Sequence, residues 1–156
     1  MPRIVSSLVE VAVFRFANDR PEYLLLQRAA AEKLYPLLWQ LVTGGIEGEE
    51  RASDAALREM REETGLIPTS FWCAPVTNVF YDVRNDAVQL TPVFAAQVGA
   101  AGAVRLSAEH QAFLWLPFPA ALNRLVWPGQ RNALEIVHRS IAGGEEAARR
   151  VLVPPV

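Results

Sequence analysis

The sequence predicts an α/β layered fold with a mixed sheet, and three observations predict it. Strand-like runs come first, one strongly patterned helix interrupts them, and strands then resume before a closing helix. Turn residues punctuate these runs at short intervals. At 156 residues and 51% hydrophobic composition, the chain from 1 to 156 fits one domain with a core of its own.

Each element follows from local pattern. Val9, Val11 and Val13 alternate with Glu10, Ala12 and Phe14, the period of a strand, and "EYLLLQR" resumes that character after the turn-like "NDRPE". "LLWQLVT" is a further short apolar run, closed by Gly44 and Gly45. From Ala52 to Thr64 every residue is a tolerable helix former, and Gly65 then Pro68 supply the stop. "FWCAPVTNVFYDV" and "AVQLTPVFAAQV" flank "RNDA", which is turn chemistry. Pro92 in the second run belongs near an edge or a bulge, because it cannot donate to a ladder. "GAAGAV" reads as a surface loop and "AFLWLPF" as the last strand, and Pro117 and Pro119 open a short helical piece ending near Asn123. Leu134, Val137, His138 and Ile141 recur at helical spacing, which predicts a closing helix from Gln130 to Ile141, ended by Gly143 and Gly144. The pattern assigns no element to the tail "RRVLVPPV".

Composition excludes several classes of function. Net charge is −2 and the arginines stand singly or in pairs, so there is no basic stripe for a nucleic-acid polymer. The lone Cys73 can form neither an internal disulfide nor a cysteine metal cage, which suits a reducing compartment. Nothing near it would stabilise a thiolate, so it reads as a small residue filling a strand. The amino terminus "MPRIVSSLVEVAVFRF" lacks the basic region, continuous apolar core and cleavage site of a signal peptide, and no apolar run is long enough to span a bilayer. The expected location is the cytoplasm, without membrane attachment.

The helix carries the chemistry. At about 100° per residue, Glu59, Glu62 and Glu63 fall within an arc of about 100°, while Ala56, Leu57 and Met60 gather on a separate apolar side. Like charges on one helix edge repel, and a hard divalent cation relieves that repulsion, since magnesium takes oxygen ligands from a few carboxylates plus substrate phosphates. Gly44, Gly45 and Gly48 ahead of the helix let a loop fold tightly and bring backbone groups close to a ligand.

Read from Gly44, the chain runs glycine, five residues, Glu50, seven residues, then Arg58-Glu59-Met60-Arg61-Glu62-Glu63-Thr64-Gly65-Leu66. This resembles the Nudix box, G-x5-E-x7-R-E-U-x-E-E-x-G-U with U a bulky aliphatic, at every defined position. The resemblance implies a Nudix (MutT-like) hydrolase: an α/β/α sandwich with a mixed sheet, a loop-helix-loop holding Mg2+ or Mn2+, and water cleaving a diphosphate linked to another moiety. It implies Glu59 and Glu63 as principal metal ligands, Glu62 as a further or bridging ligand, and the Thr43 carbonyl as a main-chain metal contact. Arg58 resembles the box arginine that orients the acidic residues, and its spacing to Glu62 permits an i,i+4 pair. Glu50 resembles the supporting outer glutamate. Glu49 stands where many members carry glycine, which bears on loop shape rather than on the ligand set. The general base stays open among Glu59, Glu62 and a residue outside the box.

"LWQLVTGGIE", "SAEHQAFLWLPFPAAL" and "VWPGQRNALE" look like the branch containing dihydroneopterin triphosphate pyrophosphohydrolase, which also acts on deoxynucleoside triphosphates such as dATP. By that resemblance Glu109 is a further metal ligand or the base, the alternative being a turn cap in "SAEH", and His110 is a hydrogen-bonding structural residue. Arg28 resembles a substrate-phosphate contact, and Gln130 and Arg131 a polar substrate-facing patch. A flat ring asks for an aromatic platform, for which Trp39, Phe80, Tyr81 and Trp127 are candidates beside their ordinary role in the core. The "YDVRNDA" turn could set Arg84 or Asn85 over the mouth of the site.

"EHQAFLWL" also resembles the asymmetrical diadenosine tetraphosphate hydrolases, but those usually carry Pro-Lys-Gly before the box where this chain has Val42-Thr43-Gly44. A non-catalytic Nudix sensor is the rival from another class, and loss of box glutamates, its sign, is not seen here. The apolar "VLVPPV" is left to pack on the chain's own body or on a second copy, so a homodimer stays open; many relatives are dimers.

Overall fold

The computed structural model describes residues 1–154. Eight strands form one mixed sheet: β1 (Arg3–Val5), β2 (Leu8–Ala17), β3 (Arg20–Arg28), β4 (Trp39–Gln40), β5 (Val42–Gly45), β6 (Ser70–Asp82), β7 (Ala87–Gln97) and β8 (His110–Pro117). Four helices accompany them: α1 (Ala52–Thr64), α2 (Phe118–Arg124), α3 (Pro128–Val137) and α4 (Glu146–Arg150). β2 is the organising strand. Its first half pairs antiparallel with β5, its second half antiparallel with β3, and its other edge runs parallel to β7.

The strand's alternation decides the layers. Val9, Val11 and Val13 face α1, where Ala55, Ala56 and Met60 are fully buried against them. Ala12 and Phe14 face the opposite way, against Ala133, Leu134 and Val137 of α3 and Ala121 of α2. Helices therefore cover both faces of the sheet, as the expected α/β/α sandwich requires. Each fully buried Leu, Val or Met contributes about 1.5–3 kcal/mol to holding these layers together.

Asn18 and Asp19 take positive φ values of 49° and 62°, the geometry of a two-residue hairpin turn between β2 and β3. α1 occupies Ala52–Thr64 as its sequence predicts, and Gly65 ends it in the left-handed conformation with its N–H on the Arg61 carbonyl. Pro92 lies opposite a register shift in β6 between Cys73 and Thr77, in the stretch of β7 that neither β1 nor β2 pairs. Its missing donor costs the ladder nothing there.

Three boundaries differ from expectation. "LLWQLVT" divides at Leu41 into β4, which pairs β3, and β5, which pairs β2, because the chain crosses from one strand's edge to the next. The closing helix starts earlier, with Pro128 in its first turn, and gives way at His138–Ala142 to a wider π-type turn. The tail packs on the chain itself: Cys73 N–H donates to the Val151 carbonyl (2.9 Å) and Val153 N–H to that of Phe71 (2.8 Å). Pro155 and Val156, the end of that predicted tail, lie outside the described residues. No helix among the described residues is long and apolar enough to cross a membrane.

Candidate active site

The loop between β5 and α1 is built around two side chains. Gly44 has no room for a side chain, because a Cβ there would overlap the Glu59 carboxyl group, which lies across the Gly44 backbone. Gly45 N–H donates to Glu59 Oε1 at 3.2 Å. Arg58, the neighbour of Glu59, gathers the rest: it donates to both oxygens of Glu50 (2.6 and 3.2 Å), to the Gly45 carbonyl (2.7 Å), to Glu59 (3.0 Å) and to Glu62 (3.4 Å). Glu50 in turn accepts the Glu47 N–H at 2.7 Å and closes the loop tip. The hydrogen bond from Arg58 is the main reason the Glu50 carboxyl sits below its ordinary pKa. Gly44→Ala should leave the fold intact but displace Glu59, lowering kcat by about a hundredfold, as atomic-scale misplacement of a reacting group does. Steady-state kinetics with thermal melting checks this, and an unchanged rate would mean that Glu59 need not lie against the strand.

One helical turn along, Glu63 is 2% exposed, and neither of its oxygens has a hydrogen-bond partner of standard geometry. Burial, followed by the nearby charges of Glu109 and Glu59, pushes its pKa up to about 9; the Thr43 N–H and the Arg28 charge oppose this only in part. Glu59 is also raised, by burial first, against the pull of Arg58. Glu63, Glu109 and His110 each offer a ligand atom within 4.8 Å of the others. A buried, unpartnered carboxylate facing two more carboxylates is a poor structural device and a good seat for a hard cation.

Glu109 reaches this cluster from the exposed turn ahead of β8, where its carbonyl accepts the Ala29 N–H at 2.9 Å. His110 is buried, and its Nε2 accepts from the Gln40 side-chain amide at 3.1 Å. Burial and the Arg28 charge lower its pKa to about 4, so the ring is neutral at physiological pH. Arg28, at the end of β3, is held by the Leu34 carbonyl (2.8 Å) and Glu32 (3.2 Å) with its charge bearing on Glu63 and His110. Thr43 sits beside the cluster, its hydroxyl donating to the Leu41 carbonyl (3.1 Å) and accepting from Gln130 Nε2 (3.3 Å).

Four of the expected substrate residues are not joined to the cluster by any hydrogen bond or ion pair among the described residues. Arg131 caps the Leu122 and Leu125 carbonyls at 2.6 and 3.4 Å, closing the end of α2. Trp39 packs against the α3-side core with the Arg124 guanidinium over its ring at 5.4 Å. Tyr81 donates to Asp86 at 2.9 Å, and the Arg84 N–H donates to Asp82 at 3.0 Å, both bonds internal to the β6–β7 hairpin. Glu10, Asn78 and Gln40, to which no motif points, are buried polar groups as well. Glu10 carried a signal: it is the one charged residue inside the run that both sheet faces bury.

The NUDIX domain family model matches residues 7–136, most of the chain. The chain belongs to the Nudix family. An octanoyltransferase of Myxococcus xanthus is 32% identical over 134 residues, 81% of this Nudix chain but 35% of that protein, so the chain spans about a third of that relative's length. The nucleoside triphosphatase NudI of Escherichia coli O139:H28 is 30% identical over 101 residues, 60% of this chain and 72% of NudI. A C. elegans Ap4A hydrolase in a binary complex superposes with a TM-score of 0.75 at 20% identity, over 89% of this chain and 99% of that one. The E. coli dihydroneopterin triphosphate pyrophosphohydrolase does so with 0.68 at 24% identity, over 86% and 99%. Likeness at these identities shows the Nudix fold. Nudix hydrolases generally need divalent cations, and the carboxylates around Glu63 fit that need.

Proposed function

We propose that this Nudix chain is a Mg2+-dependent pyrophosphohydrolase that cleaves a nucleoside triphosphate or dihydroneopterin triphosphate to monophosphate and pyrophosphate. The buried, unpartnered carboxylate of Glu63 facing Glu59 and Glu109 carries this reading. Glu59, Glu62, Glu63 and Glu109, with the Thr43 carbonyl, would hold the ion. When bound, the ion would neutralise polyphosphate charge and ease loss of a proton from the water that attacks phosphorus. Arg58 fixes Glu59 and Glu62 through its fan of hydrogen bonds, so their oxygens need no reorganisation when substrate arrives. Arg28 lies near enough to bias Glu63 and would take a terminal phosphate once released from Glu32. Glu109, on an exposed turn rather than on the helix, would act as the base if it does not itself hold the ion, taking a proton from the attacking water.

The test is a product assay by phosphate-resolving chromatography with Mg2+, over dihydroneopterin triphosphate, dATP, the other nucleoside triphosphates and diadenosine tetraphosphate. Monophosphate plus pyrophosphate from the pterin or a nucleoside triphosphate is the expected result. ATP from diadenosine tetraphosphate alone would replace this substrate class with the dinucleoside polyphosphates. Tight nucleotide binding without turnover would make the chain a sensor.

A further inference from the structure

On the α3 face of the sheet, the apolar floor of Ala12, Phe14, Val93 and Ala95 gives way to a polar one. Cross-strand register sets Glu10 beside Thr43 and Asn78 beside Thr91. All but Thr43 are at least nine-tenths buried. Asn78 Nδ2 donates to Glu10 Oε1 at 3.1 Å, and the first turn of α3 rests on that amide, since a Cβ at Gly129 would stand 3.2 Å from Asn78 Cγ. Gln130, in the first turn of α3, bonds Thr43 and lies beside Glu10. Glu10 Oε2 and Thr91 Oγ1 nevertheless have no hydrogen-bond partner of standard geometry, although the Gln130 amide bears on the Glu10 carboxyl. Apolar residues of similar size would fill this layer at lower cost, so the unmet oxygens call for a ligand.

The margins of the floor suit a flat ring. Phe80, on the same face two residues beyond Asn78, is 45% exposed, and Trp127, immediately before α3, is 38% exposed. Thr43 links this floor to the carboxylate cluster: its hydroxyl belongs to the floor, while its N–H faces Glu63 and the next residue, Gly44, carries Glu59 against it. A ring on the floor thus has its phosphates within reach of the Gly44-Gly45 loop.

We propose that Glu10, held by Asn78, reads the heterocycle of the substrate, and that it selects rings with an N–H beside an exocyclic amino group, as in the 2-amino-4-oxo rings of guanine and pterin. This rests on the hydrolase reading above and narrows its substrate class. The two acceptor oxygens of a carboxylate match two adjacent donors, whereas adenine offers one donor beside an acceptor. The Thr91 hydroxyl is a donor left for the ring carbonyl.

Binding of monophosphates reads the floor without requiring hydrolysis. By calorimetry, dGMP is expected to bind wild-type protein about tenfold or more tightly than dIMP, which lacks only the amino group, and than dAMP. In Glu10→Gln, which keeps the shape but offers one acceptor and one donor, the dGMP to dIMP ratio should fall to about one. Equal affinities in the wild type, or a uniform loss for all three nucleotides in the variant, would overturn the assignment. The wild-type comparison stands whether or not the variant folds. Base-selective binding without triphosphate turnover would sink the hydrolase reading and leave this one; turnover with no base preference would do the reverse.

Discussion

Glu63→Gln is expected to lower kcat by about a thousandfold or more and, at the same time, to stabilise the metal-free protein. The loss follows from removing charge from the carboxylate that anchors the proposed ion while keeping its shape, and several kcal/mol of transition-state stabilisation is a normal consequence. The gain in stability has a separate cause. Glu63 is buried without a partner beside two carboxylates, and its pKa rises from 4.5 to about 9. Between those values the folded state holds a proton that the unfolded state has released, so metal-free wild-type protein is most stable below the lower value and loses stability as pH climbs toward the upper one. Glutamine is neutral throughout and lacks that slope. Melting at about pH 6 and about pH 8.5 in chelator should show a falling Tm for wild type and a flatter profile for the variant, which melts higher by about 3 °C or more at the alkaline value. Divalent metal should reverse the order. Full activity in Glu63→Gln would remove the metal site; equal pH slopes would mean that Glu63 is not strained in the free protein.

Glu109→Gln is expected to lower kcat by about a hundredfold or more with Tm unchanged, the size that loss of a general base or ligand produces. The turn that carries Glu109 is fastened through its main chain, by the carbonyl that accepts the Ala29 N–H, and its side chain is exposed. A role in capping the turn would therefore appear as lost stability with the rate retained. The pair of measurements separates the two, and an undiminished kcat would return Glu109 to a structural part.

The loop and helix were legible because their chemistry is written in spacing. Glutamate and arginine recur at intervals that one helix face turns directly into geometry, so the Arg58–Glu62 pair and the α1 boundaries needed no tertiary information. The bonds from Arg58 to Glu50 and to the Gly45 carbonyl, by contrast, depend on how the loop folds back. The division of "LLWQLVT" at Leu41 depends on which strands lie alongside, and no local pattern records that. Arg131 resembles part of a substrate-facing patch in sequence, yet its guanidinium caps two carbonyls of a helix end that only the fold brings near. Glu10 is the reverse case. A carboxylate in a strand buried on both faces breaks the hydrophobic pattern, but its neighbours Asn78, Thr91 and Gln130 come from elements far along the chain. The tail was silent because its place is set by backbone bonds to β6 rather than by side-chain pattern.

Whether Glu63 and its neighbours seat a divalent cation is read by a Mn2+ titration followed by electron paramagnetic resonance on the wild type, Glu63→Gln and Glu109→Gln. A stoichiometric site in the wild type that is lost in Glu63→Gln and weakened in Glu109→Gln is the predicted result. The same Mn2+ affinity in all three proteins would contradict it.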